Sequence, residues 1–554
     1  MAQSGGGSSP LDQVTREAER IQEREAERLR TREQEFRDAQ TTPPSGEEVR
    51  PEQTIDLQGA QCVALKTVSI TGLTLYKRDA FAKELDSLLG PCTGIDAINK
   101  VLRAITNRYI LDGYVTSRAI VGPQDLQDGS LEIVVFEGVL TKIKAEKDGF
   151  SARTLDMAFP GLEGDILNLR ALEQGVDQLS RLPSVEPNID IVPGIEQGSS
   201  DVVVTRKVLG PRFRPSVVFS NDGSLSTGRV QANIGEDFDN LLGLADYWSL
   251  YATRSVENAA FKGSHAFGGS LSVPYGFWTV SVSGGRSEYE SVLQGNEQSF
   301  LSTGRSWNGS AILDRMLYRN AKTKISVSAT LALSDSENRI QGIRLSTSSY
   351  RLVTGAIDWR VQHRLGKGLL SGGVGFTRGL NGLGANAADT GPGGPRLQFR
   401  VVDANLGYQQ QIDMLGIPTN YSATVRAQTA LDPVFSSNRF SLGGSSTVRG
   451  FRDDGISGRH GAFMRQQIEF PLLALLGKKE KWQMVTTFVG YDAGGIIRRE
   501  NDRFERGFLQ SSTLGVRIRH KNIQAELSAS APFSAPSFVD RKRVELAASL
   551  RFSL

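Results

Sequence analysis

The chain has 554 residues, of which 39% are hydrophobic and 23% are charged, so it is long enough for several domains and a large core. Its formal net charge of +3 gives no indication of a nucleic-acid-binding protein, in which basic residues cluster on one face. The sequence contains no run of about 18 apolar residues that would predict a membrane-spanning helix. The opening sequence MAQSGGGSSP lacks the apolar segment of a signal peptide.

Residues 11–38 are predicted to form one highly charged helix. Arginines recur every four residues and meet glutamates three residues on, a spacing that pairs side chains on a helix surface. These residues are Arg16, Arg20, Arg24, Arg28 and Arg32, with Glu19, Glu23 and Glu27. The few apolar positions do not form a core-facing stripe, so the helix is polar nearly all round. It is either a solvated arm or an element held inside a wet, charged space.

The proline-rich segment 41–54 predicts a linker after this helix. Beyond it lie the two cysteines of the chain, Cys62 and Cys92. They favour one structural disulfide in an oxidising compartment such as a periplasm. Two unrelated buried thiols are the alternative.

Residues 62–208 predict two consecutive β-α-α-β-β units. Hydrophobic alternation and helical spacing distinguish strands from helices. The first unit has predicted strands at 68–75, 114–121 and 131–140 and helices at 78–89 and 94–112. The second unit has predicted helices near 152–159 and 168–181 and strands near 185–192 and 201–207.

From residue 212 onward the sequence predicts strand after strand and no helix. In WTVSVSG, for example, Trp278, Val280 and Val282 lie on one face and Thr279 and Ser281 on the other. The alternating segments are 212–221, 228–238, 245–255, 262–273, 276–287, 298–314, 321–334, 347–363, 368–380, 396–412, 419–430, 461–471, 482–495, 510–519, 522–532 and 543–553. About 16 segments of this length are typical of a bacterial outer-membrane barrel rather than a soluble sandwich.

A barrel of that size encloses a polar lumen. Arg517, Arg519 and Glu526 alternate with apolar residues and are predicted to point into it. A charged lumen accommodates a helix that is polar all round. Helix 11–38 is therefore predicted to plug the barrel, and the linker lets it leave.

Two short motifs stand out in the barrel region, VRGF (448–451) and FVGYDAG (488–494). They resemble the VRGY/F motif of the sixth extracellular loop and the F-x-G-x-D motif of an inner wall in two-partner secretion transporters of Gram-negative outer membranes. This TpsB family includes transporters of filamentous haemagglutinin, haemolysin and contact-dependent inhibition toxins. The two α/β units resemble polypeptide-transport-associated (POTRA) domains in the patterns DGYVTSRAIV (112–121), DGSLEIVVFEGVL (128–140), LNLRALEQGVDQLSRLPSV (167–185) and VPGIEQGSSDVVV (192–204). Together these motifs cover almost the whole chain.

The expected fold is therefore a transmembrane β-barrel of about 16 antiparallel strands, preceded by two α/β POTRA domains and an N-terminal α-helix. The expected domains are a plug helix (1–40), a flexible linker (41–60), the first POTRA domain (61–141), the second POTRA domain (142–209) and the barrel (210–554), with the loop 431–460 folded inward. One departure from the family is the final sequence RFSL, because such barrels commonly end on an aromatic residue.

The resemblance implies that the VRGF loop folds back into the lumen, where its arginine meets the strand aspartate. The residues of this predicted clasp are Val448, Arg449, Gly450, Phe451, Phe488, Gly490 and Asp492. Gly450 permits a tight turn, and Gly490 leaves room for the loop tip. The arginine–aspartate pair would be a charge-assisted, bidentate hydrogen bond. A solvated loop arginine and an unrelated turn aspartate are the alternative.

The resemblance also implies a function, namely capture of a large β-rich exoprotein by its N-terminal secretion domain and its transport, unfolded, through the barrel. Strand addition to POTRA sheet edges is the expected mode of capture. The middle strand of such a unit usually lies at an edge, so the candidate cargo-binding residues are Thr116, Arg118, Ile120, Ile189 and Ile191. Outer-membrane lipid is the other expected partner, and an adhesin, haemolysin, haem-scavenging protein or toxin are all open as cargo.

Two other functions remain open on the sequence. A barrel-assembly insertase of the same superfamily usually carries more POTRA domains and lacks a plug helix. A general porin has no use for tandem POTRA domains. An enzyme is not predicted, because the four histidines are scattered without metal-ligand spacing and no catalytic or nucleotide-binding motif is present. No cofactor, metal or nucleic acid is expected.

Overall fold

The computed structural model describes residues 31–32, 35–36, 43–44, 62–147, 149–257, 262–294, 298–346, 348–386, 394–414, 416–472, 485–497, 507–539 and 541–553. Two small α/β units precede a large closed barrel in chain order. Among these residues, no helix has both the length and the apolar character needed to cross a membrane.

The first unit packs two helices against a small sheet. Its strands are β1 (Cys62–Leu65), β2 (Thr67–Thr71), β3 (Gly90–Gly94), β4 (Arg118–Ile120) and β5 (Ser130–Phe136), and its helices are a 3₁₀ turn (Arg78–Phe81), α1 (Ala82–Asp86) and α2 (Ile95–Leu111). The sheet order is β2-β5-β4, with β1 and β3 paired separately. Leu85, Ile105 and Tyr109, which have helical spacing in the sequence, are completely buried against Ile133.

The predicted disulfide between Cys62 and Cys92 is confirmed. It joins β1 to β3 with a Cα–Cα distance of 5.0 Å. The two strands are antiparallel neighbours, so the bond fixes the start of the first unit to the turn between its helices.

The second unit repeats this plan. Its elements are β6 (Val139–Ala145), α3 (Ala152–Ala158), α4 (Leu169–Ser180), β7 (Val185–Pro193) and β8 (Ser199–Val208), with the sheet order β6-β8-β7. Both helices begin at a capping residue. Ser151 Oγ accepts a hydrogen bond from the Thr154 amide, and Asn168 Oδ1 accepts one from the Arg170 amide.

Glu137 and Gly138 connect β5 of the first unit to β6 of the second. Glu137 accepts hydrogen bonds from the Tyr109 hydroxyl (2.7 Å) and from the amides of Thr74 and Leu75. Partial burial raises the pKa of Glu137, but these hydrogen bonds to the carboxylate outweigh it, so the pKa is lowered overall. The charged form of Glu137 therefore stabilises the end of the first unit, to which all three of these partners belong.

In the described part of the chain, sixteen antiparallel strands close into a barrel, which confirms the predicted fold. They are β9 (Phe213–Ser220), β10 (Gln231–Asp239), β11 (Tyr247–Ser255), β12 (Gly263–Tyr275), β13 (Trp278–Gln294), β14 (Ser299–Arg319), β15 (Thr323–Ile340), β17 (Tyr350–Leu365), β18 (Gly368–Leu380), β19 (Arg400–Met414), β20 (Ile417–Ala430), β23 (His460–Pro471), β24 (Val485–Ile496), β25 (Gly507–His520), β26 (Ile523–Ser534) and β27 (Glu545–Ser553). Three short strands accompany them: β16 (Ile343–Arg344), β21 (Phe440–Leu442) and β22 (Ile456–Gly458).

Strands β13, β14 and β15 are longer than the sequence pattern predicts, at 17, 21 and 18 residues. Their far ends remain paired, but the outward positions there carry charged residues such as Glu288, Arg305 and Glu337. The apolar–polar alternation is lost where the wall passes beyond its apolar band. The alternation therefore predicts the extent of the apolar band but not the full length of each strand.

The second unit is bound to one rim of the barrel. Arg319 and Lys324, both buried at the turn between β14 and β15, form ion pairs with Asp177 of α4 at 2.6 and 2.5 Å. On the next turn of the rim, the carbonyl of Gly276 accepts a hydrogen bond from Gln178 of α4 at 2.7 Å. Helix α4 therefore packs against two neighbouring turns of this rim.

Candidate functional site in the barrel lumen

Two neighbouring strands, β23 and β24, present polar residues to the lumen. In their register, Arg465 lies opposite Asp492 and Gln467 lies opposite Gly490. Asp492 is completely buried, whereas Val489 on the other face of β24 is 49% exposed. The face that the sequence assigned to Phe488, Gly490 and Asp492 is thus the inner one.

The loop between β20 and β23 folds into the barrel, with its two short strands β21 and β22 paired as a hairpin. Val448 and Phe451 on either side of Arg449 are buried in an apolar cluster with Leu442 of β21 and Leu509 of β25. Burial of these apolar side chains anchors the loop, since each contributes about 1.5–3 kcal/mol on leaving water. The loop therefore presents Arg449 to the wall in a fixed position.

Arg449 forms a bidentate ion pair with Asp492. Its Nε lies 2.7 Å from Asp492 Oδ2, and its Nη2 lies 2.8 Å from Oδ1. The Arg449 amide also donates to Oδ2 (3.1 Å), and Nη1 donates to Gln467 Oε1 (3.0 Å). Arg465 adds a second guanidinium 3.4 Å from Oδ1. One buried carboxylate is thus surrounded by two cations and an amide, which is the geometry that makes a buried ion pair stable.

Glycines provide the space for this arrangement. A Cβ on Gly490 would lie 2.2 Å from Arg449 Nη2, so any side chain there displaces the guanidinium. Gly450 has a φ of +88° and packs against Pro532 of β26. Its left-handed conformation and close approach both require glycine. The Phe488 ring lies 5.9 Å from the Arg449 guanidinium and covers Gly515 of the next strand.

The same loop also reaches the seam between the last and first strands. Arg452 pairs with Glu545 at the start of β27 (2.7 Å) and donates to the carbonyl of Asn221, just after β9. Asp453 binds Arg229 (2.5 Å) and Lys542 (2.8 Å), which belong to the connections on either side of this seam. β27 and β9 themselves share five residue pairs among the described positions, against eight for β9 with β10. The loop thus reinforces the shortest contact of the barrel wall.

A second charged group lies further along the lumen. Arg517 forms ion pairs with Glu526 of β26 (2.8 Å) and Glu469 of β23 (3.0 Å), and its guanidinium lies 5.5 Å from the Phe488 ring. The structure therefore brings Arg517 and Glu526 together with the clasp. Arg519, two residues on at the end of β25, is on the same strand face as Arg517, because side chains alternate between the two faces of a strand. It is exposed there, and its role in the lumen stays a prediction.

The described residues of the N-terminal segment lie inside the barrel. Residues 31–32 and 35–36 are helical. Arg32 donates to Thr253 Oγ1 of β11 (2.7 Å) and stacks over Tyr251 at 4.2 Å, and the Phe36 ring lies 5.6 Å from the Tyr247 ring. Thr31 and Glu35 line a cavity of about 790 Å³ between the helix and the wall. The other predicted plug residues, Arg16, Arg20, Arg24, Arg28, Glu19, Glu23 and Glu27, lie outside the described residues.

The linker also touches the barrel at the lumen mouth. Lys324 Nζ donates to the carbonyl of Pro43 (3.3 Å), and Arg364 Nε donates to that of Pro44 (3.1 Å). Lys324 is the same cation that binds Asp177 of α4. The linker and the second unit therefore meet at Lys324.

Strands β4 and β7 lie at sheet edges, with Arg118, Ile120, Ile189 and Ile191 on them. Thr116 does not: it precedes β4, so its assignment to this edge is wrong. Residues 113–117 instead join the two units. Leu169 donates to the Gly113 carbonyl (2.8 Å), and Gly138 donates to Ser117 Oγ (3.2 Å). These bonds hold the backbone in turns where the sequence alternates like a strand.

Sequence reasoning missed Arg465, Gln467 and Glu469. They alternate with Met464, Gln466 and Ile468, which is a period-two signal of a polar lumenal face. It also missed Arg452 and Asp453, for which the sequence offers no signal beyond their charge. No group of three or more His, Cys, Asp or Glu side chains among the described positions is arranged to hold a metal ion.

Comparisons with known proteins agree with this architecture. The family model of haemolysin secretion/activation proteins (ShlB/FhaC/HecB) matches residues 198–518, a ShlB-type POTRA model matches 63–138, and a further POTRA model matches 139–193. The outer membrane transporter CdiB of Dickeya dadantii is 30% identical over 490 residues, which cover 87% of this chain and 85% of the relative. The hemolysin transporter protein ShlB of Serratia marcescens is 29% identical over 478 residues, covering 85% and 82%. The solved structure of CdiB from Escherichia coli covers 100% of both chains with a TM-score of 0.87 and 28% identity.

Proposed function

Because the chain belongs to the ShlB/FhaC/HecB family of two-partner secretion transporters, we propose that it captures one large β-rich exoprotein in the periplasm and secretes it unfolded through its barrel. It is an outer-membrane transporter, and its POTRA domains lie in the periplasm. Relatives named as haemolysin transporters support an exoprotein as cargo. The observation that carries the proposal is an open sheet edge, β7, in the domain that is bound to the lumen mouth.

The edge of β7 has backbone groups ready to pair with an extended segment. Pro187 has no N–H and so cannot donate a hydrogen bond to β8. The backbone groups at this position of β7 therefore point away from β8, to the open edge. Because the pattern repeats every two residues, the N–H and C=O groups of Ile189 and Ile191 also point to the open edge. Their side chains pack into the domain core, which leaves Asn188 and Asp190 exposed on the outer face. Strand addition would therefore use backbone pairing first.

β7 is a better docking strand than β4. It has nine residues, whereas β4 has three. An added strand gains one or two backbone hydrogen bonds for each pair of residues, so a longer edge holds an unfolded segment more firmly. We therefore assign the first binding step to the second POTRA domain.

The lumen elements would serve the later steps. The helix that contains Arg32 and Phe36 closes the resting lumen and leaves before the cargo enters. The clasp of Arg449 and Asp492 keeps the inward loop against one wall and so defines the open part of the conduit. The insertase and porin alternatives are less well supported, since the matched relatives are named as transporters of this family.

Site-specific photo-cross-linking tests the docking strand. A photoreactive residue at Asn188, exposed beside the β7 edge, is expected to cross-link to the exoprotein in cells that express both partners. The matched control is Lys142 on β6, at the opposite edge of the same sheet. Equal cross-linking at both positions, or none at Asn188 while the exoprotein is secreted, would contradict this assignment.

A further inference from the structure

The outer wall of strands β12–β15 carries aromatic residues at two levels along the barrel axis. Near the periplasmic end, Tyr275 lies opposite Trp278. Near the other end, Phe267 and Trp307 flank Arg286, and both aromatic side chains are more than half exposed. Trp278 and Arg286 lie eight residues apart on β13, roughly 26 Å along a strand at ~3.3 Å per residue. This is of the order of the ~25 Å apolar band between the aromatic girdles of outer-membrane barrels.

Charged residues enter the outward positions at the outer girdle, with Arg286 and Asp335 in its row, and they fill the next row. The next outward row, two residues further along each strand, is His265, Glu288, Arg305 and Glu337, each opposite the next in the strand register. These side chains border an open cleft of about 590 Å³ whose lining is mainly polar. The cleft therefore lies at the height of the lipid headgroups on the cell-surface side.

Cations exceed carboxylates among the described residues of this cleft. Its cations are Arg254, Lys262, Arg286, Arg305 and Arg339, against four glutamates. Arg305 and Arg339 share one carboxylate, Glu337, at 2.6 Å each, and their side chains remain 60% and 50% exposed. A guanidinium has five N–H donors, so both arginines keep donors available for a second anion.

We propose that this cleft binds the phosphate groups of a diphosphorylated glycolipid of the outer leaflet, of the lipid A class. The phosphates would bind Arg305 and Arg339, because guanidinium groups suit the tetrahedral, multiply charged phosphate. The acyl chains would lie below on Phe267 and Trp307. A peptide ligand fits this arrangement less well, because the apolar surface lies only on the membrane side of the cleft.

The position has a mechanical consequence. Strands β13–β15 project furthest from the apolar band, and a headgroup bound across β14 and β15 would tie this part of the wall to the leaflet. Cargo passage pulls on the lumen, so a wall held in the leaflet resists displacement. The inference concerns the outer wall alone and holds whichever exoprotein the transporter carries.

Native mass spectrometry of the full-length protein in detergent tests the proposal, with diphosphoryl lipid A and its monophosphoryl form as probes. The double variant R305Q/R339Q is expected to lose at least about ten-fold in affinity for diphosphoryl lipid A, because it loses two charge-assisted contacts. Glu337→Gln is expected to tighten binding, since it frees both arginines from their shared carboxylate. The control is Arg315→Gln, which is on the same face of β14 but at the periplasmic girdle beside Trp278.

The gain predicted for Glu337→Gln separates binding from misfolding, because a damaged barrel does not bind more tightly. Equal affinity of wild type and R305Q/R339Q would overturn the proposal, as would equal binding of the two lipid A forms. Complete displacement of lipid A by millimolar inorganic phosphate would also overturn it, because the cleft would then be a free-anion site rather than a lipid site.

Discussion

Arg449 uses all three of its guanidinium nitrogens in the lumen, two on Asp492 and one on Gln467. Lysine at this position would keep the charge but lose the planar fork, and alanine would remove one of the two guanidinium groups beside Asp492 and leave that of Arg465. Removing one partner of a buried ion pair costs about 3–5 kcal/mol, because the remaining charge is desolvated without full compensation. The guanidinium, and not the charge alone, is thus what fixes the loop.

We therefore expect Arg449→Lys and Arg449→Ala to reduce secretion, the alanine variant by about ten-fold or more, while the barrel still inserts. Secreted exoprotein and the heat-dependent gel mobility of the barrel would measure the two effects separately. The control is Arg459→Ala in the same loop, where the arginine donates to a backbone carbonyl at 3.4 Å. Normal secretion by Arg449→Ala would leave the clasp as a static structural contact.

The close contact between Gly490 and Arg449 gives a second prediction. A methyl group there meets Arg449 Nη2 at 2.2 Å, so Gly490→Ala should impair secretion in the wild-type background. In an Arg449→Ala background the obstruction is gone, and the same change should have almost no further effect. Strictly additive effects in this double-mutant cycle would show that the two residues act independently.

The clasp residues also show what could be predicted from the sequence. Alternation places Phe488, Gly490 and Asp492 on one face because a strand has only two faces. It does not give the partner strand or its register, so Gln467 opposite Gly490 could not be assigned. The pairing of Arg449 with Asp492 came from the family resemblance, and the structure adds Arg465 and Gln467 as further partners.

Among elements, the described residues of the N-terminal helix contact the barrel wall through polar and aromatic groups. Arg32 combines a hydrogen bond with a cation–π contact, and Phe36 packs with Tyr247. A helix that is polar nearly all round gains little from the hydrophobic effect, so it can leave the lumen at low cost. This suits a removable element better than a permanent part of the barrel.

Deletion of residues 1–40 is therefore expected to raise the single-channel conductance in planar bilayers several-fold. A milder change, Arg32→Ala, should increase the frequency of large openings without altering the fully open conductance. The matched control is Arg254→Ala, because Arg254 follows Thr253 on β11 and is on the opposite, outward face of that strand. Unchanged conductance after the deletion would mean that another element, such as the inward loop, closes the pore.

Elements were also where the sequence pattern failed. YVTSRAIV alternates as a strand does, yet Gly113 adopts a φ of +99° and residues 113–117 turn to join the POTRA domains. Local alternation cannot reveal that a neighbouring domain competes for the same backbone groups. The alternation also did not predict the long ends of β13–β15, because the outward residues there are charged and not apolar.

Considered as a whole, the molecule offers two routes for a polypeptide: along the lumen or out through the seam between β27 and β9. The inward loop contacts the lumenal wall and the seam. Arg449 of this loop pairs with Asp492 of β24, and Arg452 and Asp453 form ion pairs at the seam. Transport through the lumen requires the N-terminal helix to move out, whereas β27 and β9 stay paired.

Cysteines in place of Phe219 and Leu550, which face each other across this seam, would lock it. Transport through the lumen predicts that the cross-linked transporter still secretes at close to the wild-type rate. Wild-type protein treated with the same reductant is the control, because the native Cys62–Cys92 disulfide also responds to it. Secretion that returns only after reduction would show that the seam must open.

The most direct test of the central claim compares cells with and without this protein by quantitative proteomics of the culture medium and the outer membrane. A dedicated secretion transporter predicts the loss of one large exoprotein from the medium, with other outer-membrane barrels unchanged. Depletion of many barrels from the membrane, or no change in either fraction, would contradict it.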